Sequence, residues 1–146
     1  MKGPPEDKQP SAEWLRSGAA FPTPAEIIPA VYRRGTQTSR LYLPSLNPIL
    51  TPIFGRELFP GSLNLHSAGD VDFPFPAVVS IAGQSWTFIP VVIQGRQVAV
   101  AARKGGQAAS FLEIYSPTGI VDALGLTVGC TVDVAIYSGR HLGIGE

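Results

Sequence analysis

The segment Ser62-Leu63-Asn64-Leu65 alternates polar with apolar residues, the period of a strand with one face in a core. It follows Glu57-Leu58-Phe59-Pro60-Gly61, where Pro-Gly marks a turn: Pro60 fixes φ and Gly61 permits φ > 0. Upstream, Ile27 to Tyr32 is a short apolar run that reads as the first strand. Leu41-Tyr42-Leu43 reads as another, stopped by Pro44. Apolar positions 46, 49, 50, 53 and 54 have helical spacing, but Pro48 and Pro52 restrict them to one short helical segment ending near Gly55.

From Ala77 the pattern is β. Ala77–Ile81, Trp86–Ile93 and Gln97–Ala102 form a meander of β-branched and aromatic residues, joined by turns at Ala82-Gly83-Gln84 and Gln94-Gly95-Arg96. Leu112 and Ile114 then alternate with Glu113, which leaves the core face. Ser116-Pro117 is expected to start a helix, with Ser116 as N-cap, running from Thr118 to Leu124 and ended by Gly125. Thr131–Tyr137 alternates cleanly and is the last strand.

These elements make one mainly β domain over residues 27–138, with one or two short helices. A Pro-rich tail, 1–26, precedes it, poorly ordered apart from a short helix at Ser11–Arg16; Trp14 needs an apolar home there, on the domain body or on a second subunit. The tail 139–146 is expected to be loose.

Composition changes the picture in three places. Gly 16 and Pro 14 are spread without a period, so they read as turns between short strands and not as a low-complexity chain. A net charge of +0 argues against nucleic acid or an anionic membrane as partner. One cysteine, Cys130, forms no internal disulfide, and two histidines are too few for a zinc cluster. The N-terminus lacks an apolar signal core, and no apolar run reaches the roughly 18 residues of a membrane span. A soluble cytoplasmic protein is expected.

Candidate chemistry is sparse. Ser62 and Asn64 share a strand face, about 7 Å apart. They offer neutral oxygens of the kind Mg²⁺ accepts beside substrate phosphates, or they cap backbone groups at a strand edge. The loop Arg33-Arg34-Gly35-Thr36-Gln37-Thr38-Ser39-Arg40 has the guanidinium and hydroxyl groups to hold phosphates, or is a solvated loop. Arg103-Lys104-Gly105-Gly106 is either an anion clamp or a flexible turn. Asp70 and Asp72, in a proline-broken loop, read as solvated charge, and Cys130 as a small filler.

Phe59-Pro60-Gly61-Ser62-Leu63-Asn64-Leu65 resembles the Pro-Gly-Thr-Leu-Asn signature of the archaeal CTP-dependent riboflavin kinases. Phe111-Leu112-Glu113-Ile114-Tyr115-Ser116-Pro117 and Leu124-Gly125-Leu126-Thr127-Val128-Gly129-Cys130-Thr131-Val132-Asp133-Val134 are similar to that family's closing part. The likeness covers about residues 28 to 137. It implies a small six-stranded closed cradle-loop β-barrel, and the short helix near Gly55 is expected to cover one end of it. It also implies phosphoryl transfer from CTP to the riboflavin 5′-hydroxyl, giving FMN; with the nucleotide loop altered another nucleoside triphosphate is an alternative donor, and a monomer or weak homo-oligomer is expected. By the same resemblance Ser62 and Asn64 hold Mg²⁺, and Glu113 orients or deprotonates the ribityl hydroxyl. Glu113 and Tyr115 lie by the flavin, and Arg33, Arg34, Gly35, Thr36, Arg40, Arg103 and Lys104 serve the nucleotide. The chain departs from the family at its nucleotide loop, where Arg34-Gly35-Thr36-Gln37-Thr38 replaces Gly-x-Gly-Glu-Gly. The alternatives are a flavin- or nucleotide-binding barrel without transfer, and a structural or regulatory barrel.

Overall fold

A computed structural model describes residues 10–17, 21–35 and 39–144. Its elements, in order, are α1 (Ala12–Ser17), β1 (Glu26–Tyr32), α2 (Ser39–Phe54), β2 (Leu63–His66) and β3 (Ala77–Ile81). β4 (Gln84–Ile93), β5 (Gln97–Lys104), β6 (Phe111–Tyr115), α3 (Ile120–Leu124) and β7 (Thr131–Ile136) follow. Strands β4, β5, β6, β2, β1 and β7 pair in that order, and β7 returns to β4. Six antiparallel strands therefore close a barrel, and closure leaves no open edge in the ring. β3 pairs with β4 outside the ring. Its hairpin turn places Ala82 at φ 51 and Gly83 at φ 80, the two positive values that a type I′ turn needs to match strand twist.

The period of two sorts each strand between two cores. Ala30, Leu65, Val91, Ala101, Leu112 and Val134 come one from each ring strand and share a buried cluster, which is the barrel interior. Trp86, Phe88, Val100 and Tyr115 point the other way and pack with Leu43, Leu46 and Leu50 of α2 and with Trp14 of α1. α2 thus lies along the outer wall, where a cover over one barrel end was expected.

The expected strand at Leu41-Tyr42-Leu43 is instead the first part of α2. Leu43, Leu46, Leu50 and Ile53 recur at helical spacing and all are buried. Pro44, Pro48 and Pro52 lie four apart on the exposed side. Each removes one N–H from the helical ladder, but on the side where the orphaned carbonyl meets water. Burial of the leucine stripe outweighs that loss. The helix ends as anticipated at Gly55, whose φ is 74. Arg16 of α1 donates to the terminal carbonyls of Pro52 and Ile53 at 3.2 and 3.4 Å, so the first helix caps the second.

Two further expectations are corrected. Ser116 does not cap α3: its Oγ accepts the N–H of Thr118 at 3.1 Å, and the helix begins after Gly119. Three residues separate the serine from the helix, so its hydroxyl serves a local turn. The C-terminal segment is packed, not loose. Leu142 is 1% exposed, and Ser11 and His141 form a parallel bridge. Trp14 docks on the domain body, 5.4 Å from the Tyr137 ring. Expectations for residues 1–9, 18–20, 36–38 and 145–146 lie outside the described residues.

Candidate functional site

β2 and β6 pair with Asn64 opposite Glu113. Leu63, Leu65, Leu112 and Ile114 fill the barrel, so Asn64, His66, Phe111, Glu113 and Tyr115 project from the outer wall. Ser62, one residue before β2, joins them. A three-residue turn brings the chain there: the Gly61 N–H donates to the Phe59 carbonyl at 2.8 Å around Pro60.

Glu113 is the centre of this wall and only 2% exposed. Its Oε1 accepts the Tyr115 hydroxyl at 2.8 Å, and its Oε2 accepts the Ser62 hydroxyl at 3.5 Å. Burial pushes the carboxyl above its usual range; the two hydroxyls and the positive charge of Lys104 pull against that shift. Burial first, then the Glu113 charge, raises the Tyr115 phenol, so the phenol stays a protonated donor at neutral pH. Tyr115 is fully buried. Its place is against Glu113, as a group that positions the carboxylate, and not on an open face where a flavin would stack.

Arg103 and Lys104 are consecutive on β5 and therefore leave opposite faces. Lys104 is on the outer face, where its Nζ donates to the Tyr42 hydroxyl of α2 at 2.7 Å. Arg103 is at the inner end. Its guanidinium donates to the carbonyls of Val71 and Ala109 at 2.8 Å and of Phe111 at 3.1 Å, and it stacks 4.1 Å from the Phe73 ring. Burial lowers its pKa, opposed by Asp72 and Asp70. Arg103 pins two loops together, and the paired clamp read from the sequence reduces to Lys104.

Beside Glu113 opens a cleft of about 380 Å³ lined by Arg34, Gly35, Asn64, His66 and Phe111, among others. The His66 and Phe111 rings lie 5.1 Å apart. Arg33 is exposed, and its backbone N–H donates to the Asn64 carbonyl at 3.1 Å, which ties the loop after β1 to β2. Gly35 rests directly on the Asn64 carboxamide: a Cβ at residue 35 would overlap Asn64 Nδ2. Thr36 lies outside the described residues. Arg40 is described by its backbone alone, in the first turn of α2.

The structure thus brings together Ser62, Asn64, Glu113, Tyr115, Lys104, Arg34 and Gly35. His66, Phe111 and Tyr42 are additions that sequence reading missed. For His66 and Phe111 the signal was present, because each sits two residues from a candidate on an alternating strand. Tyr42 arrives through a long-range contact that no local pattern encodes.

Among the described residues, no three His, Cys, Asp or Glu side chains gather to hold a metal. Beside the Tyr115 hydroxyl that Glu113 accepts, the wall supplies the Glu113 carboxylate, the Ser62 hydroxyl and the Asn64 amide oxygen. Asn64 Nδ2 is the end turned to Gly35, and its Oδ1, the acceptor of the carboxamide, lies farther from it. That oxygen set fits a hard cation that keeps several waters and substrate phosphates.

No helix among the described residues is long and apolar enough to cross a membrane. No family model matches the chain, and no curated protein matches its sequence.

Proposed function

We propose that this barrel is a phosphotransferase that makes FMN from riboflavin, with CTP as the donor by resemblance. The observation that carries this reading is the pairing of Asn64 with Glu113 on the outer wall. Two stretches far apart in sequence, each resembling the same kinase family, meet there in register. The closed six-stranded barrel agrees with the fold that the resemblance implied.

The chemistry follows from the groups present. The riboflavin 5′-hydroxyl attacks the terminal phosphorus of the triphosphate, its proton passes to the Glu113 carboxylate, and the diphosphate leaves with the bonding electron pair. A carboxylate lifted by burial is a better proton acceptor than an ordinary glutamate at neutral pH. Tyr115 holds that carboxylate in one orientation. Ser62 and Asn64, with Glu113 beside them, would hold Mg²⁺, which neutralises phosphate charge during transfer. Arg34, which lines the cleft, and Lys104, whose charge reaches Glu113, supply the cations. A cleft of about 380 Å³ with an aromatic pair at its wall has room for a heteroaromatic ring.

A second reading, a flavin- or nucleotide-binding barrel without transfer, is favoured by Arg34-Gly35-Thr36-Gln37-Thr38, which lacks the glycines that allow close backbone approach to phosphates. The test is FMN formation from riboflavin and Mg²⁺, with CTP and ATP in separate reactions. FMN with CTP supports the proposal as stated. FMN with ATP alone keeps the transfer and replaces the donor. No FMN with either overturns transfer.

A further inference from the structure

A second cavity, of about 280 Å³, lies on the same outer face at the opposite end of α2. Three arginines from three separate elements line it. Arg16 comes from α1, Arg56 follows α2, and Arg96 sits in the β4–β5 turn. The lining contains no aspartate or glutamate. Arg16 is held in place by the carbonyls of Pro52 and Ile53. The side chains of Arg56 and Arg96 are exposed and make no hydrogen bond or ion pair among the described residues. Phe21 and Phe54 form an apolar wall of the same cavity.

With three guanidiniums and no carboxylate in its lining, the cavity carries a positive potential that attracts an anion. Guanidiniums match phosphate oxygens bidentately, and an aromatic wall suits the apolar body of a ligand. We propose that this cavity binds a small phosphate ester or diphosphate with a planar or apolar body. It is separate from the Glu113 cleft and shares no lining residue with it. The inference is therefore independent of the phosphotransferase reading.

The test is calorimetric titration of the full chain with pyrophosphate at low salt, with citrate as a carboxylate control. Pyrophosphate should bind saturably, and Arg56→Ala combined with Arg96→Ala should weaken that binding by at least about tenfold. In the unsubstituted chain, pyrophosphate should move the backbone amide resonances of Arg56, Arg96 and Gln97, which locates the site without any variant. Citrate binding as tightly as pyrophosphate would overturn the phosphate assignment. Absence of saturable binding, unchanged affinity in the double variant, or resonance changes confined to Arg34 and Gln107 would overturn the site.

Discussion

The Tyr115 hydroxyl donates to Glu113 Oε1 at 2.8 Å, from two residues along the same strand and the same face. Both side chains are almost wholly removed from water. A buried carboxylate needs such donors, because leaving one unsatisfied costs the desolvation of that group. Tyr115→Phe removes the donor and keeps the ring. The expected loss of stability is about 1–3 kcal/mol in urea unfolding. The Glu113 carboxyl should also titrate higher still, since this hydrogen bond holds it down.

Glu113 makes stability depend on pH in a defined sense. Its folded pKa is raised above the ordinary value of 4.5, mainly by burial. Between those two values the folded state binds more protons than the unfolded one, so stability falls as pH rises. The favourable contribution is full below the unfolded pKa and is lost as pH climbs through the folded one. Glu113→Gln keeps an oxygen for Tyr115 and removes the titration. Relative to that variant, the unsubstituted protein should lose stability as pH rises through this window. Parallel stability curves for the two would show that Glu113 does not titrate differently on folding.

Gly35 and Asn64 are the second pair on which the site depends. A methyl group at residue 35 would meet the Asn64 carboxamide, which must then rotate away. Gly35→Ala should displace Asn64 and reduce FMN formation by about tenfold or more, a scale typical of small misplacements at a reacting centre. The thermal midpoint should move little, because Gly35 belongs to neither apolar cluster. Unchanged activity would show that Asn64 needs no such support.

The α2 helix carries a prediction of opposite sign. Pro48 is exposed and interior to the helix. Pro48→Ala restores one backbone donor while freeing the unfolded chain, and the first effect is the larger. Stability in urea should rise by about 1 kcal/mol. A loss would mean that the proline itself is required at residue 48 for Leu46 and Leu50 to reach the barrel wall.

Much of the barrel was legible because its strands alternate. Leu63 and Leu65 against Ser62 and Asn64, and Leu112 and Ile114 against Glu113, assign faces from spacing alone. The same rule separates Arg103 from Lys104, although their adjacency invites reading them as one clamp. α2 was harder. Three residues, Leu41 to Leu43, fit strand or helix equally, and Pro44 reads as a stop. Only burial of Leu43, Leu46 and Leu50 against Trp86 and Phe88 settles it, and that packing is tertiary. The packing of Leu142 and the reach of Lys104 to Tyr42 were hidden for the same reason: both depend on contacts distant in sequence.

The most direct measurement of the proposed chemistry is Asn64→Ala, assayed twice. FMN formation with CTP and Mg²⁺ reports transfer, and quenching of riboflavin fluorescence reports binding. The expected result is loss of FMN formation by about a hundredfold or more, with riboflavin affinity changed by no more than about twofold. FMN formation at the unsubstituted rate would contradict the account, because the wall formed by Asn64 and Glu113 would then not be where phosphoryl transfer occurs.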